Sequence, residues 1–243
     1  MFTRESKVIN QFSRFAHGYD TYNVIQAEVA QTLVGMITAN KYTTIVDIGC
    51  GSGEVYKNIK KRKIAFSRFI ALDSSSEMLS LHPSNVSIQK IRADFNDINT
   101  YQNLELKKET LLLSSSALQW SNDLEFVMQE LSKNTSDAYF AMFTSNTFKT
   151  LHQIAKIESP IYPVEVLKKS IEKYYHASFE LKEYTLSFQS VREMFHYIKK
   201  SGVSGGEKQL SYKQIKELMC KYPLGYLEFE VLFVKATSLA LCK

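Results

Sequence analysis

The 243-residue sequence predicts an α/β fold in which a mostly parallel, seven-stranded sheet is flanked by helices. Short runs of β-branched and apolar residues end at glycine or aspartate, which is typical of buried parallel strands. Segments with an apolar residue every three or four positions separate these runs and indicate helices. Because the two patterns alternate, we expect βαβ units that bind a ligand beyond the carboxyl ends of their strands.

Residues 1–40 are predicted to be helical. Val8, Phe12 and Phe15 recur at helical spacing, and Tyr19 continues the pattern. Gly18 is expected to separate this helix from a second one, because glycine weakens a helix interior. The second helix carries its apolar residues at Val24, Val29, Leu33 and Met36.

Residues 41–148 form the predicted core of the sheet. Helices are expected after the first strand, through Val55 and Ile59, and again at 75–81 and 123–133. Five strand patterns alternate with them, at TTIVDIG (43–49), RFIALD (68–73), VSIQKIRAD (86–94), TLLLSS (110–115) and AYFAMFTS (138–145).

The C-terminal part, residues 149–243, departs from this alternation. We expect its two strands to join the same sheet and its helices to form a cap at one end of the sheet. The strands are predicted at FELKEYTLSF (179–188) and EFEVLFVKA (228–236), and the helices at 148–157, 164–175, 191–200 and 212–221.

The composition is that of an ordinary soluble globular protein, with 44% hydrophobic and 23% charged residues, which excludes disordered, collagen-like and coiled-coil classes. No apolar run approaches the roughly 18 residues of a membrane span, and charges interrupt the first twenty residues. We therefore expect a cytoplasmic protein. The three cysteines, Cys50, Cys220 and Cys242, lack the spacing of a disulfide framework or a zinc site, so no metal is expected.

The strongest functional signal is the segment DIGCGSG (47–53), which follows a predicted strand and opens a helix. Its glycines let the backbone turn sharply and approach a ligand closely. A dinucleotide site would have the spacing G-x-G-x-x-G for a pyrophosphate. Here the spacing is G-x-G-x-G with an acid two residues ahead, which resembles the first motif of S-adenosylmethionine-dependent methyltransferases.

The resemblance implies a Rossmann-like class I methyltransferase fold, with S-adenosylmethionine as cofactor and S-adenosylhomocysteine as product. Residues 1–40 would then lie over the cofactor site. An acid at the end of the second strand is placed to accept hydrogen bonds from ribose hydroxyls, and one after the third strand to meet the adenine amino group. Asp47, the acid that begins the motif, would bind the ammonium end of the cofactor. The expected cofactor-binding residues are Asp47, Gly49, Cys50, Gly51, Asp73, Ser74, Asp94, Phe95 and Ser115.

Several further segments are similar to malonyl-acyl-carrier-protein O-methyltransferases. They are FSRFAHGYDTYNVIQ (12–26), KYTTIVDIGCGSG (41–53), SALQWSNDL (116–124), YIKKSGV (197–203) and KYPLGYLEFEVLFVKA (221–236). Two segments depart from that family. The approach to the fourth strand lacks the family's F-D-L and has Ser115 where Asn is usual, and NTSDA (134–138) replaces a Pro-Gly-Gly turn.

This resemblance implies methyl transfer to the free carboxylate of malonyl-acyl-carrier protein or malonyl-coenzyme A, giving the ester that starts pimeloyl assembly in biotin biosynthesis. A carboxylate is already an anion at neutral pH, so no general base is needed. The enzyme must instead orient and desolvate it. Within the resemblance Tyr19 is catalytic, folding over the reactive carboxyl, while Gln119 and Trp120 line the substrate tunnel.

A cation is also needed, since desolvating a carboxylate without one is costly. We favour Lys199, which occupies the position of a lysine in the family's L-K-x-x-G stretch, over the other basic residues of this region, which are Lys149, Arg192, His196 and Lys200.

The acyl carrier protein is the expected partner. Residues 149–243 hold 15 basic and 10 acidic side chains, whereas residues 1–148 hold 15 of each. Because the carrier protein is acidic, basic residues on the cap are expected to steer it by long-range attraction. We name Lys168, Lys169, Lys208 and Lys213 for this role, and expect a monomer with neither a membrane nor a nucleic acid as partner.

Three alternatives stay open. Another small-molecule methyltransferase, of the trans-aconitate or quinone type, shares much of the pattern, although a quinone acceptor would need a base that the sequence does not offer. A nucleic-acid methyltransferase is disfavoured by the small charge excess and by SSSALQW (114–120), which stands where a base-flipping motif would follow the fourth strand. A cofactor-binding protein without turnover is the third.

Overall fold

The structure is a computed structural model that describes residues 22–102, 104, 110–133, 135, 137–200 and 210–241. Within these ranges the helices are too short and too polar to cross a bilayer. The predicted helix around Phe12 and Phe15 and the predicted break at Gly18 lie outside the described residues.

One seven-stranded sheet forms the centre of the molecule, in the order β3-β2-β1-β4-β5-β7-β6. Strands β1 to β5 pair in parallel, and β7 pairs antiparallel to both β5 and β6. The predicted mostly parallel sheet is therefore confirmed. The strands are β1 (Lys41–Ile48), β2 (Ala65–Asp73), β3 (Ile88–Arg92), β4 (Thr110–Ser115), β5 (Asp137–Phe143), β6 (Tyr175–Ser187) and β7 (Tyr226–Ser238).

Helices cover both faces of this sheet. They are α1 (Val24–Gly35), α2 (Glu54–Lys61), α3 (Ser76–Leu81), α4 (Ile98–Gln102), α5 (Leu124–Ser132), α6 (Lys149–Ala155), α7 (Val164–Glu172), α8 (Val191–Lys200) and α9 (Tyr212–Lys221). Short 3₁₀ turns follow β4 (Leu118–Trp120) and β7 (Leu239–Leu241).

Two apolar clusters, one on each face, hold the layers together. The first contains residues of α1, α2, α8 and α9 with Ile45, Ala71 and Leu113 from the sheet. The second contains residues of α5 and α7 with Val46 and Leu112. Successive strand residues point to opposite faces, so central strands that are buried on both sides must be apolar almost throughout.

Helix α7 lies on the face opposite to α1, α8 and α9. Its residues Leu167 and Ile171 are fully buried in the second cluster, against α5. The expectation that all helices of residues 149–243 form one cap therefore does not extend to α7. Lys168 and Lys169, which were expected on the cap, belong to this flanking helix, and Lys208 lies outside the described residues.

Strands β6 and β7 are longer than the sequence pattern predicts, at 13 residues each. The predicted helix 164–175 ends at Glu172, and β6 begins with Tyr175, which pairs with Ser238. The Tyr175 ring is buried and packs edge to face on Phe140, with ring centroids 5.8 Å apart. This cross-sheet contact favours the extended conformation where the local pattern favours helix.

Candidate functional site

The turn between β1 and α2 is tied to the end of β2 by three backbone donors. The N–H groups of Gly49 and Cys50 both donate to the carbonyl of Leu72, at 2.8 and 2.9 Å. The N–H of Gly51 donates to Oδ2 of Asp73, at 2.9 Å. The glycine turn and the acid at the end of β2 therefore form one rigid unit.

Gly49 and Gly51 both have positive φ, +70° and +52°, a conformation that side chains disfavour. A Cβ at Gly49 would lie 2.3 Å from Cβ of Ala117, which follows β4. A Cβ at Gly51 would have no atom within 4 Å. Gly49 is thus required for packing, whereas Gly51 leaves open space above the turn.

Asp47 lies at the base of the turn and is fully buried. Both of its carboxylate oxygens lack a hydrogen-bond partner within the described residues. Burial, together with the nearby Asp73 carboxylate, raises the pKa of Asp47 well above its usual range. An unpaired buried carboxylate is costly unless a ligand compensates it. The residue therefore fits a ligand that brings an ammonium group or other donors.

Replacing Asp47 with asparagine is expected to stabilise the ligand-free protein at pH 7 while weakening cofactor binding. Burying an unpartnered neutral polar group such as an amide costs about 1–3 kcal/mol, and burying an unpartnered carboxylate costs more. The pKa of Asp47 is higher in the folded protein than in the unfolded chain. Wild-type stability is therefore highest at a pH below the pKa of Asp47 in the unfolded chain, and it falls as the pH rises through the pKa of Asp47 in the folded protein.

Thermal unfolding of wild type and of Asp47→Asn, from acid pH to pH 7, measures this difference in stability. The melting temperature of the variant should exceed that of wild type near pH 7 and lose its advantage in acid. A variant that melts below wild type at pH 7 would contradict the proposed absence of a partner for this carboxylate.

Asp73 accepts hydrogen bonds from two backbone donors. Its Oδ1 accepts from the N–H of Ser75 and its Oδ2 from the N–H of Gly51, both at 2.9 Å. Burial raises the pKa of Asp73, and these two donors oppose the shift. Each oxygen retains a second lone pair for a ligand hydroxyl. The neighbouring carbonyl of Ser74 accepts from Nε of Arg92 at 3.4 Å.

The sheet places Asp47, Asp73 and Ser115 on one face. Each follows by two residues a member of the first apolar cluster in the same strand, namely Ile45, Ala71 and Leu113, and residues two apart share a face. The hydroxyl of Ser115 is also buried without a partner among the described residues. The structure therefore brings these three predicted residues together, under the face covered by α1 and α8.

Asp94 lies beyond the end of β3. Its Oδ1 accepts hydrogen bonds from the N–H and Nδ2 of Asn96, at 2.8 and 2.9 Å. Oδ1 of Asn96 in turn accepts from the N–H of Asn122, at 2.8 Å, which joins the loops after β3 and β4. Phe95 packs against the second apolar cluster, so the structure does not place it on the face of Asp47 and Asp73.

The exit from β4 carries a second group of buried polar atoms. The Ser116 residue has φ of +62°, and its hydroxyl lacks a partner within the described residues. Nε2 of Gln119 donates to the carbonyl of Ser116 at 2.8 Å, while its buried Oε1 accepts no hydrogen bond there. Trp120 is partly exposed and packs against the first cluster. This segment thus offers hydrogen-bonding groups that a bound ligand would satisfy.

The structure gives less support for the predicted substrate residues elsewhere. Tyr19 lies outside the described residues. Nearby Tyr22 contacts α8, with its ring centroid 6.2 Å from that of His196 and 6.3 Å from that of Tyr197. Lys199 is exposed in the last turn of α8, and the described part of the chain gives it no hydrogen bond or ion pair. Its role in binding a carboxylate stays a prediction.

Two supporting residues were not predicted from the sequence. Ala117 packs against Gly49, and Asn96 links Asp94 to the loop after β4. The sequence does show a small residue in SALQW (116–120) and a polar pair at 96–97. Their contacts could not be predicted from it, because they depend on how β1, β3 and β4 are arranged in space.

The model for the family described as "Methyltransferase domain" matches residues 46–142. This range includes the glycine turn, Asp73 and Asp94. Among curated relatives, this chain is similar to the malonyl-[acyl-carrier protein] O-methyltransferase of Bacillus anthracis, with 25% identity over 86% of this chain and 84% of that protein. The enzyme of the same name from Priestia megaterium is 28% identical over 58% of this chain and 53% of that relative, so this match spans about half of its length.

Solved structures agree on the architecture. The YcgJ protein from Bacillus subtilis superimposes with a TM-score of 0.62 at 9% identity, covering 86% of this chain and 98% of that protein. At this identity the likeness concerns the fold alone.

Proposed function

We propose that this chain, an S-adenosylmethionine-dependent methyltransferase with the class I fold, methylates the free carboxylate of malonyl-acyl-carrier protein or malonyl-coenzyme A. The observation that carries the proposal is the buried, unpartnered Asp47 beneath the open glycine turn, next to Asp73. The substrate follows from the similarity to relatives that bear this activity in their names, over most of the chain.

The residues of the turn fit the parts of the cofactor. Asp47 would accept hydrogen bonds from the ammonium group of the cofactor, and Asp73 would accept hydrogen bonds from the ribose hydroxyls. Asp94 would face the amino group of the adenine base. The backbone of Gly49, Cys50 and Gly51 would lie against the ligand, in the space that a Cβ at Gly51 would enter. When bound, S-adenosylmethionine supplies a methyl group carried on a positively charged sulfonium.

The chain's remaining task is to hold an anionic oxygen in line and to exclude water. A malonyl carboxylate needs no base at neutral pH. Desolvation strengthens the attraction between the anion and nearby donors, and positioning supplies much of the rate enhancement. Tyr19, Gln119 and Trp120 are proposed to line the substrate tunnel, with Tyr19 donating a hydrogen bond to the reactive carboxyl. Ser115 lies at the end of β4, four residues before Gln119.

The decisive experiment offers the purified protein a labelled methyl donor with malonyl-acyl-carrier protein, malonyl-coenzyme A and trans-aconitate in parallel. The proposal expects methyl esters of the malonyl thioesters to form fastest. Preferred methylation of trans-aconitate, or of nucleic acid in a fourth arm, would overturn it. Growth of a biotin-requiring bacterium that lacks its own malonyl methyltransferase tests the role in pimeloyl assembly.

Lys199→Ala is expected to raise KM for the malonyl substrate about 10-fold, since one charge-assisted contact contributes roughly 1.5 kcal/mol. The affinity for S-adenosylhomocysteine, measured by calorimetry, should not change. Lys216→Ala, which removes an exposed lysine from α9, is the matched control. Unchanged kinetics of the Lys199→Ala variant would exclude this residue from substrate binding.

A further inference from the structure

We propose that a groove beside α6 binds the phosphate of the substrate's phosphopantetheine arm, an inference that rests on the proposed function. The groove has a volume of about 380 Å³ and is lined mainly by polar residues. We call it the anion groove and define it by Ser145, Asn146, Lys149, His152, Lys156 and Ser159.

The anion groove and the glycine turn lie at the same end of the sheet, beyond the carboxyl ends of the parallel strands. Strand β5 ends at Phe143, and Ser145 follows two residues later. Strand β4 separates β5 from β1, so the ends of β5 and β1 are two strand spacings apart, about 10 Å. An arm that carries its acyl group to the glycine turn therefore has its other end within reach of the groove.

The groove is rich in donors. Lys149 and Lys156 are exposed, and neither has an ion pair within the described part of the chain. The Nδ1 atom of His152 and the hydroxyl of Ser159 are buried without a hydrogen-bond partner there. Burial lowers the pKa of His152, so the ring is neutral near pH 7 and offers one N–H.

Among the described residues, nearby carboxylates form no ion pair with these lysines. Glu230 is buried behind Asn146, and its carboxylate accepts hydrogen bonds from Nδ2 of Asn146, at 3.0 and 3.2 Å, and from the hydroxyl of Thr144. Glu228 accepts from the N–H of Thr150 at 3.0 Å. Glu158 is exposed and does not line the groove. The side chains that line the groove thus include two lysines and no carboxylate.

A phosphate fits these features better than the reactive carboxylate does. The reacting oxygen must be stripped of water, whereas both lysines of the groove stand in solvent. Lysine binds phosphate as a point charge without needing a planar partner. A phosphodiester can remain partly hydrated at the mouth of a site while its arm enters.

The test compares thioesters with and without phosphate on wild type and on the double variant Lys149→Ala/Lys156→Ala. The methyl acceptors are malonyl-acyl-carrier protein, malonyl-coenzyme A and malonyl-pantetheine, which has no phosphate. We expect the double variant to raise KM about 10- to 30-fold for the two phosphorylated acceptors and less than about 2-fold for malonyl-pantetheine, since each exposed contact contributes modestly. The control, Lys60→Ala/Lys61→Ala, removes the same charge from the last turn of α2 and should change KM equally for all three acceptors.

An equal change in KM for all three methyl acceptors, or no change, would overturn the inference while leaving the proposed function intact. If no malonyl thioester is methylated at all, the proposed function fails, and binding still decides the inference. Calorimetric titration with 4′-phosphopantetheine should then show binding to wild type and at least 10-fold weaker binding to the double variant. Inorganic phosphate forms the parallel arm. Equal binding of phosphopantetheine to both proteins would refute the groove as a phosphate site.

Discussion

Gly49→Ala is expected to destabilise the protein by about 2–5 kcal/mol and to abolish cofactor binding. The added Cβ would meet Cβ of Ala117 at 2.3 Å, and neither atom belongs to a flexible side chain that can swing away. Overpacking of this kind costs about 1–3 kcal/mol, and a non-glycine residue at positive φ adds about 1–2 kcal/mol. Urea-induced unfolding measures the loss, which is a large part of the stability of a typical domain.

Gly51→Ala is the matched control for this variant. Its φ of +52° carries a similar backbone strain, but a Cβ there would contact no atom within 4 Å. We expect a stability loss of only about 1 kcal/mol. Binding of S-adenosylhomocysteine should nevertheless weaken strongly, because the side chain enters the space assigned to the ligand. Tight binding to Gly51→Ala would show that the cofactor lies elsewhere.

Asp73→Ala is expected to weaken cofactor binding by about 10²–10³-fold. Two hydrogen bonds from ribose hydroxyls to a charged acceptor contribute about 1.5–2 kcal/mol each. The substitution also leaves the N–H groups of Gly51 and Ser75 without their acceptor, so the glycine turn loses its tie to β2. Calorimetry with S-adenosylhomocysteine gives the affinity, and circular dichroism shows whether the variant is folded.

Asp97→Ala provides the comparison, since Asp97 is an exposed acid at the same edge of the sheet. It should bind the cofactor within about 2-fold of wild type. Asp73→Asn keeps the shape of the side chain but opposes an amide N–H₂ to one of the two backbone donors, so an intermediate loss is expected. A folded Asp73→Ala variant with wild-type affinity would remove this residue from the site.

The central sheet was predictable because its strands are buried on both faces. Runs such as Phe69–Leu72 and Leu111–Leu113 have no exposed positions, so their sequence is apolar throughout, which is typical of a buried parallel strand. The acid at 73 was predictable for a related reason, since it ends an apolar run, whereas the acid at 94 was predictable because it follows an alternating strand pattern. The spacing of the glycines identified the turn between β1 and α2.

Other features depend on contacts that no local pattern encodes. Helix α7 has an amphipathic pattern like that of α8, and only the antiparallel placement of β6 and β7 decides which face each helix covers. The start of β6 at Tyr175 is fixed by its packing on Phe140 in another strand. The unpartnered state of Asp47 and the lining of the anion groove are likewise properties of the assembled structure.

The position of β7 in the sheet determines when folding can finish. This strand lies between β5 and β6 although it is the last to be synthesised, and it joins them through 7 and 13 residue pairs respectively. Until β7 has left the ribosome, β5 presents an open edge and β6 has no neighbour with which to form a ladder. A nascent chain arrested before Tyr226 would therefore need a chaperone to shield that edge, and truncations at the C-terminus should aggregate rather than yield a smaller soluble domain.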